Sequence, residues 1–128
     1  MKHFLLIDDD DIICVVHPAI IRQVFPDATV EILQSAQHAI DYIKTLVAQK
    51  HKVPTAVFLD INMPEFNGFT LLDKLSNEEQ EFLSKSALYM LSSSIDQRDL
   101  DRVEASPIIK GFVGKPLTVQ FLREHFDQ

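Results

Sequence analysis

Two patterns of apolar and polar positions alternate along the chain. Residues 3–8 (HFLLID) form a short continuous apolar run, as a strand buried on both faces would. Over residues 11–25 the apolar positions fall at 12, 13, 16, 20, 21 and 24, which is helical spacing. Pro18 lies inside that stretch and predicts a kink or a late helix start. Residues 29–33 read as a second strand. Residues 35–49 read as a helix, with Ser35 as N-cap and Ala36, Ala39, Ile40, Ile43, Leu46 and Val47 as its apolar face. Residues 55–60 (TAVFLD) are a third strand that ends in an acid. The turn-rich loop Met63-Pro64-Glu65-Phe66-Asn67-Gly68 leads into a helix over 69–75. The last two strands fall at 87–91 and 108–113, with a polar helix over 96–104 between them. Gly114-Lys115-Pro116 breaks the chain, and a helix over 118–126 closes it. The charged stretch at 77–86 (NEEQEFLSKS) is the nearest thing to an insertion. It is expected to lengthen the preceding helix or loop, with Phe82 and Leu83 turned inward.

Strand and helix thus alternate five times, which predicts an α/β fold: a parallel sheet with helices on both faces. The 128 residues fit one domain, 1–128, and 46% hydrophobic residues suffice for a core.

Composition narrows the partners. The net charge is −7, from 12 basic and 19 acidic residues. That argues against gripping a phosphate backbone and suits a cation held by carboxylates. Five scattered histidines make a histidine-based zinc site a poor expectation. The single cysteine, Cys14, excludes an internal disulfide and, among Ile12, Ile13, Val15 and Val16, reads as a buried inert thiol. MKHFLLIDDDD runs straight into acid, unlike a signal peptide. No apolar stretch approaches the roughly 20 residues that span a bilayer. A soluble cytoplasmic protein is expected, with neither a membrane nor a nucleic acid as partner.

In an open α/β sheet, ligands sit beyond the carboxyl ends of the strands. The first strand ends at Asp8-Asp9 and the third at Asp60. The fourth ends at Ser92 and the fifth just before Lys115. Each has an ordinary reading alone: an aspartate as helix cap, a serine in a loop, a solvated lysine. Four such coincidences at four strand ends point instead to phosphoryl chemistry. Carboxylates are hard ligands for Mg2+, and crowded carboxylates are costly without a cation. One of them could attack phosphorus, as in known aspartyl phosphates. Lys115 and the Ser92 hydroxyl would hold the remaining phosphoryl oxygens.

These residues carry a family resemblance. LLIDDDD, FLDINMPEFNGF, YMLSS and GFVGKPLT together resemble a receiver domain of two-component response regulators, over the whole chain. The resemblance implies a three-layer, flavodoxin-like, doubly wound (βα)5 fold with strand order 2-1-3-4-5. It implies that Asp60 is the phosphoacceptor, loaded by a histidine kinase or a histidine phosphotransfer protein. Asp9 would hold Mg2+, with Mn2+ as a substitute, and Asp8 would do so through water or from behind. The Asn62 backbone carbonyl and Asp60 itself would complete the protein ligands. Lys115 would pair with Asp60, and the bond before Pro116 would be cis. Ser92 and Phe112 take the positions of the switch hydroxyl and switch aromatic. The output surface would be the helix at 96–104, the strand at 108–113 and the helix at 118–126, docking a downstream protein. The resemblance implies a monomer or a phosphorylation-dependent dimer. It implies no enzyme with a diffusing product, only self-catalysed phosphorylation and dephosphorylation. Departures from the commonest pattern are Ser92 in place of Thr, Phe112 in place of Tyr, Gly114 before the lysine, and Pro18 in the first helix.

Two other readings are open to the residues. A haloacid-dehalogenase-type phosphatase also carries Asp-x-Asp after an apolar strand, which Asp8/Asp10 or Asp9/Asp11 match formally. It needs a second acidic pair late in the chain, and GFVGKPLTVQFLREHFDQ offers none. A degenerate receiver would lack parts of the acid, hydroxyl and lysine set, all present here. The run Asp8–Asp11 is expected to divide into two metal-holding acids, Asp8 and Asp9, and two helix-starting acids, Asp10 and Asp11.

Overall fold

A computed structural model describes residues 2–127. The short apolar segments form β1 (His3–Ile7), β2 (Thr29–Leu33), β3 (Ala56–Asp60), β4 (Ala87–Ser92) and β5 (Ile109–Gly114). All neighbouring pairs are parallel, in the order β2-β1-β3-β4-β5. The helices are α1 (Ile13–Val24), α2 (Ala36–Ala48), α3 (Gly68–Asp73), α4 (Asn77–Ser84), α5 (Gln97–Ala105) and α6 (Val119–Phe126). The result is a five-stranded flavodoxin-like sheet between two helical layers.

Each central strand is apolar on both sides because side chains alternate across the sheet. Phe4 and Leu6 of β1 face one side, with Ala56, Phe58 and Leu91, and pack against Ile21 of α1 and Leu122 and Phe126 of α6. Leu5 and Ile7 face the other side, with Val57, Leu59, Leu88 and Met90, against Ile40 and Ile43 of α2 and Leu71 of α3. The two clusters hold the sheet from both faces, so the strand ends make a rigid edge.

Polar side chains start most helices by accepting otherwise unpaired amide hydrogens. Ser35 accepts from His38 N, Asn67 from Thr70 N, Asp96 from Asp99 N and Thr118 from Phe121 N. Two segments differ from the sequence expectation. Residues 77–84 do not extend α3; they form a separate helix. Ser76 and Glu79 cap it reciprocally, each side chain accepting from the other residue's backbone amide. Leu83 is buried there and Phe82 packs partly against the core. The first helix starts at Ile13, two residues late, and continues through Pro18, which has no amide to offer the Cys14 carbonyl. No helix among the described residues is long and apolar enough to cross a membrane.

Candidate functional site

Four chain segments meet at the carboxyl edge of the sheet. Asp8 follows β1, Asp60 ends β3, Ser92 ends β4 and Lys115 follows β5. Register aligns them: Asp60 lies opposite Leu91, and Ser92 opposite Gly114. The Lys115 ammonium sits 2.7 Å from Asp8 Oδ2 and 3.3 Å from Asp60 Oδ1. Asp8, Asp9 and Asp60 each offer a carboxylate oxygen within 4.8 Å of the others. An open cleft of about 320 Å³ is lined by Asp9, Asp60, Asn62, Ser92, Ser94 and Lys115.

Local backbone bonds aim these groups. Asp8 Oδ1 accepts from Asp10 N at 2.9 Å, and Asp60 Oδ1 accepts from Asn62 N at 3.2 Å. The Ser92 hydroxyl donates to the Ser94 carbonyl and accepts from Ser94 N. The Lys115 amide donates to the Ser92 carbonyl at 3.0 Å, and the Lys115–Pro116 bond is cis. Gly68 has no substitute at its position. A Cβ there would stand 2.7 Å from the Asp60 carbonyl oxygen and 2.7 Å from Met90 Cε. Its absence lets α3 begin directly against the end of β3.

Asp8 and Asp60 are both buried, with 2% and 4% exposure. Burial, then the charge of Asp8, pushes the Asp60 carboxyl up to about 6, against the opposing pull of Lys115 and the Asn62 amide. For Lys115, burial alone would lower the ammonium. The hydrogen bond and charge of Asp8, with those of Asp60, outweigh it and hold the lysine above its ordinary value. One cation thus faces three carboxylates. Asp8 Oδ2 meets the Lys115 ammonium at 2.7 Å, and Asp60 shares that same ammonium. An all-oxygen donor set of three crowded carboxylates beside one ammonium fits a hard divalent cation.

The other aspartates of the run part ways. The Asp10 carboxylate accepts from Ile12 N at 2.8 Å and Ile13 N at 3.3 Å, and so caps the start of α1. Asp11 does not. It is exposed and accepts from the Gln34 side chain at 2.7 Å. The expected pair of helix-starting acids is therefore one cap, Asp10, and one surface contact. The Cys14 thiol donates to the Asp8 carbonyl at 3.2 Å, and burial, followed by Asp8, pushes it up to about 11. It is half-buried rather than fully enclosed. Phe112 stands outside the cluster, half-buried on β5 opposite Met90.

Two residues not singled out in the sequence support the site. Glu65, in the loop after β3, reaches the start of α2 and accepts from Ala36 N at 2.9 Å. His17, buried in α1, accepts from Leu117 N at 3.0 Å. Neither contact has a local sequence signal, because each spans a long separation in the chain.

A scan against protein families matches residues 4–127 to the response regulator receiver domain. A comparison with curated protein sequences finds no match. Among solved structures, a two-component response regulator from Cytophaga hutchinsonii is 35% identical, with a TM-score of 0.88 over 99% of this chain and 95% of that one. A response regulator receiver protein from Dyadobacter fermentans is 27% identical, with a TM-score of 0.79 over 97% of this chain and 94% of that one. A CheY-like receiver domain protein from Methanospirillum hungatei, 20% identical, has the same fold, with a TM-score of 0.76 over 99% of this chain and 91% of that one.

Proposed function

We propose a phosphoacceptor role for Asp60 in this chain, which belongs to the response regulator receiver family. Such a domain is a signalling module, and membership implies a histidine kinase as partner. The observation that carries the reading is Asp60 beside Asp8 and Asp9, with the Lys115 ammonium between Asp8 and Asp60.

An Asp60 carboxylate oxygen forms the new P–O bond while the P–N bond of a phosphohistidine breaks, and the imidazole nitrogen keeps the electron pair. The donor is a histidine kinase or a histidine phosphotransfer protein. Lys115 and the Ser92 hydroxyl receive the phosphoryl oxygens, with Ser92 exchanging its contact to the Ser94 carbonyl. Asp8, Asp9, Asp60 and the Asn62 backbone carbonyl would hold Mg2+, or Mn2+ in its place. That ion, when bound, neutralises the crowded acids and the incoming charge. The Ser92 movement draws Phe112 inward and remodels the α5–β5–α6 face, where a downstream protein docks. The residues 1–128 act as one receiver unit that catalyses its own phosphorylation and dephosphorylation, as a monomer or a phosphorylation-dependent dimer.

The dehalogenase-type phosphatase gains no support. Its Asp8/Asp10 pairing needs a carboxylate occupied with the Ile12 and Ile13 amides, and its Asp9/Asp11 pairing needs one on the exposed surface with Gln34. The test of the phosphoacceptor reading is phosphoryl transfer from a phosphorylated histidine kinase, or from phosphoramidate. Wild type should be labelled in Mg2+ and unlabelled in EDTA, and Asp60→Asn should stay unlabelled in both. Equal labelling of Asp60→Asn would overturn the assignment.

A further inference from the structure

His17 is a buried titratable side chain that the chemistry above does not use. It lies at 1% exposure on the inner face of α1, with Pro18 and Ile21. Its Nε2 accepts the Leu117 amide hydrogen at 3.0 Å, across 100 residues of chain. Leu117 is also at 1% exposure, so its amide has no water to turn to, and a buried amide without an acceptor is costly.

The place of this bond matters. The segment that carries Lys115 is pinned by two backbone amides. Lys115 N donates to the Ser92 carbonyl at the end of β4, and Leu117 N donates to His17. Pro116, between them, has no amide hydrogen to give. The Ser92 bond fixes the segment to the sheet. The His17 bond fixes it to α1, whose N-terminal turn is capped by Asp10, the residue after Asp8 and Asp9. The imidazole therefore ties α1, which follows the acidic run, to the segment that carries Lys115. Burial holds His17 below the ordinary histidine value, which keeps Nε2 free to accept.

We propose that His17 is a positioning residue, whose bond to the Leu117 amide sets Lys115 against Asp8 and Asp60 for phosphoryl transfer. The inference rests on the reading of Lys115 as a ligand of the phosphoryl group. It does not involve His17 in the chemistry itself.

The test compares His17→Leu, which removes the acceptor, with His17→Gln, whose side-chain oxygen can replace it. Phosphorylation by phosphoramidate is followed as a function of donor and of Mg2+. His17→Leu should lower the maximal rate on the order of tenfold, the scale of a small misplacement of a positioned group. The half-saturating donor and Mg2+ concentrations should stay within about twofold, because no carboxylate has been touched. His17→Gln should recover the maximal rate to within about twofold. If His17→Leu fails to fold, His17→Asn, whose amide is too short to reach, takes its place. In wild type, the scalar coupling across the hydrogen bond from Leu117 N to His17 Nε2 should be detectable by NMR. A folded acceptor-less variant at the wild-type maximal rate overturns the inference alone, as does equal loss in the Leu and Gln variants. A wild type that takes no phosphoryl group at all overturns the phosphoacceptor reading, and the inference with it.

Discussion

The Asp60 carboxyl, pushed up to about 6 by burial and by Asp8, makes the metal-free protein carry a cost at neutral pH. An unfolded aspartate releases its proton near 3.8, whereas the folded one keeps it to about 6. Between those values the folded state binds more protons, so stability falls as pH rises through that window. In EDTA, Asp60→Asn should therefore be more stable than wild type above pH 6, on the order of 2 kcal/mol. The gain should vanish toward pH 4, as read by urea unfolding at several pH values. A second expectation separates two neighbouring acids. Asp10→Ala removes the cap on the Ile12 and Ile13 amides and should cost about 1 kcal/mol. Asp11→Ala removes one exposed contact to Gln34 and should change stability by less than about half of that. Equal losses in thermal melts would contradict the division. The placement of Asp8, Asp60, Ser92 and Lys115 at strand ends was legible in sequence because strands end where apolar runs end. Which of Asp10 and Asp11 caps the helix was not, since a shift of one residue moves a side chain by about 100° on a helical turn. His17 and Glu65 were out of reach for another reason: their partners are distant in the chain, and no local spacing announces them.

Elements were legible to within a residue or two, because periodicity fixes an element's kind better than its ends. The exception is α4. The run Asn77–Glu81 is polar throughout and leaves no apolar position, so periodicity was weak there. Yet Ser76 followed three residues later by Glu79 is a capping-box signature, readable before the structure. α4 packs beside α2, where Lys44 pairs with Glu79 at 3.1 Å. The Lys44 end of that pair is about half exposed, so solvent screens its charge and the cap carries more. Ser76→Ala should cost about 1 kcal/mol and raise amide exchange in α4 first, while phosphorylation of Asp60 proceeds unchanged. Uniform loss of protection across the sheet would contradict a separately capped helix.

Across the whole molecule, parallel pairing puts every strand's carboxyl end on one edge. Chemistry contributed by four segments therefore gathers without any of them being near another in sequence. The same sheet links the cleft to a remote face. Ser92 ends β4, pairs in register with Gly114 of β5, and lies two positions from Met90, which pairs with Phe112. On the proposed reading, phosphorylation should shift NMR resonances along α5, β5 and α6. Ser92→Ala should still be phosphorylated but show those shifts reduced severalfold, since the hydroxyl that responds to the phosphoryl group is missing. Full shifts in Ser92→Ala would remove Ser92 from the switch. On the proposed function, Asp60 itself becomes an acyl phosphate. Borohydride reduces an aspartyl phosphate to homoserine, so the phosphorylated protein can be reduced, digested and sequenced by mass spectrometry. Homoserine is expected at position 60, dependent on Mg2+ and on the phosphodonor. Homoserine at position 8 or 9 instead, or at no position in a protein that has taken up phosphate, would contradict it.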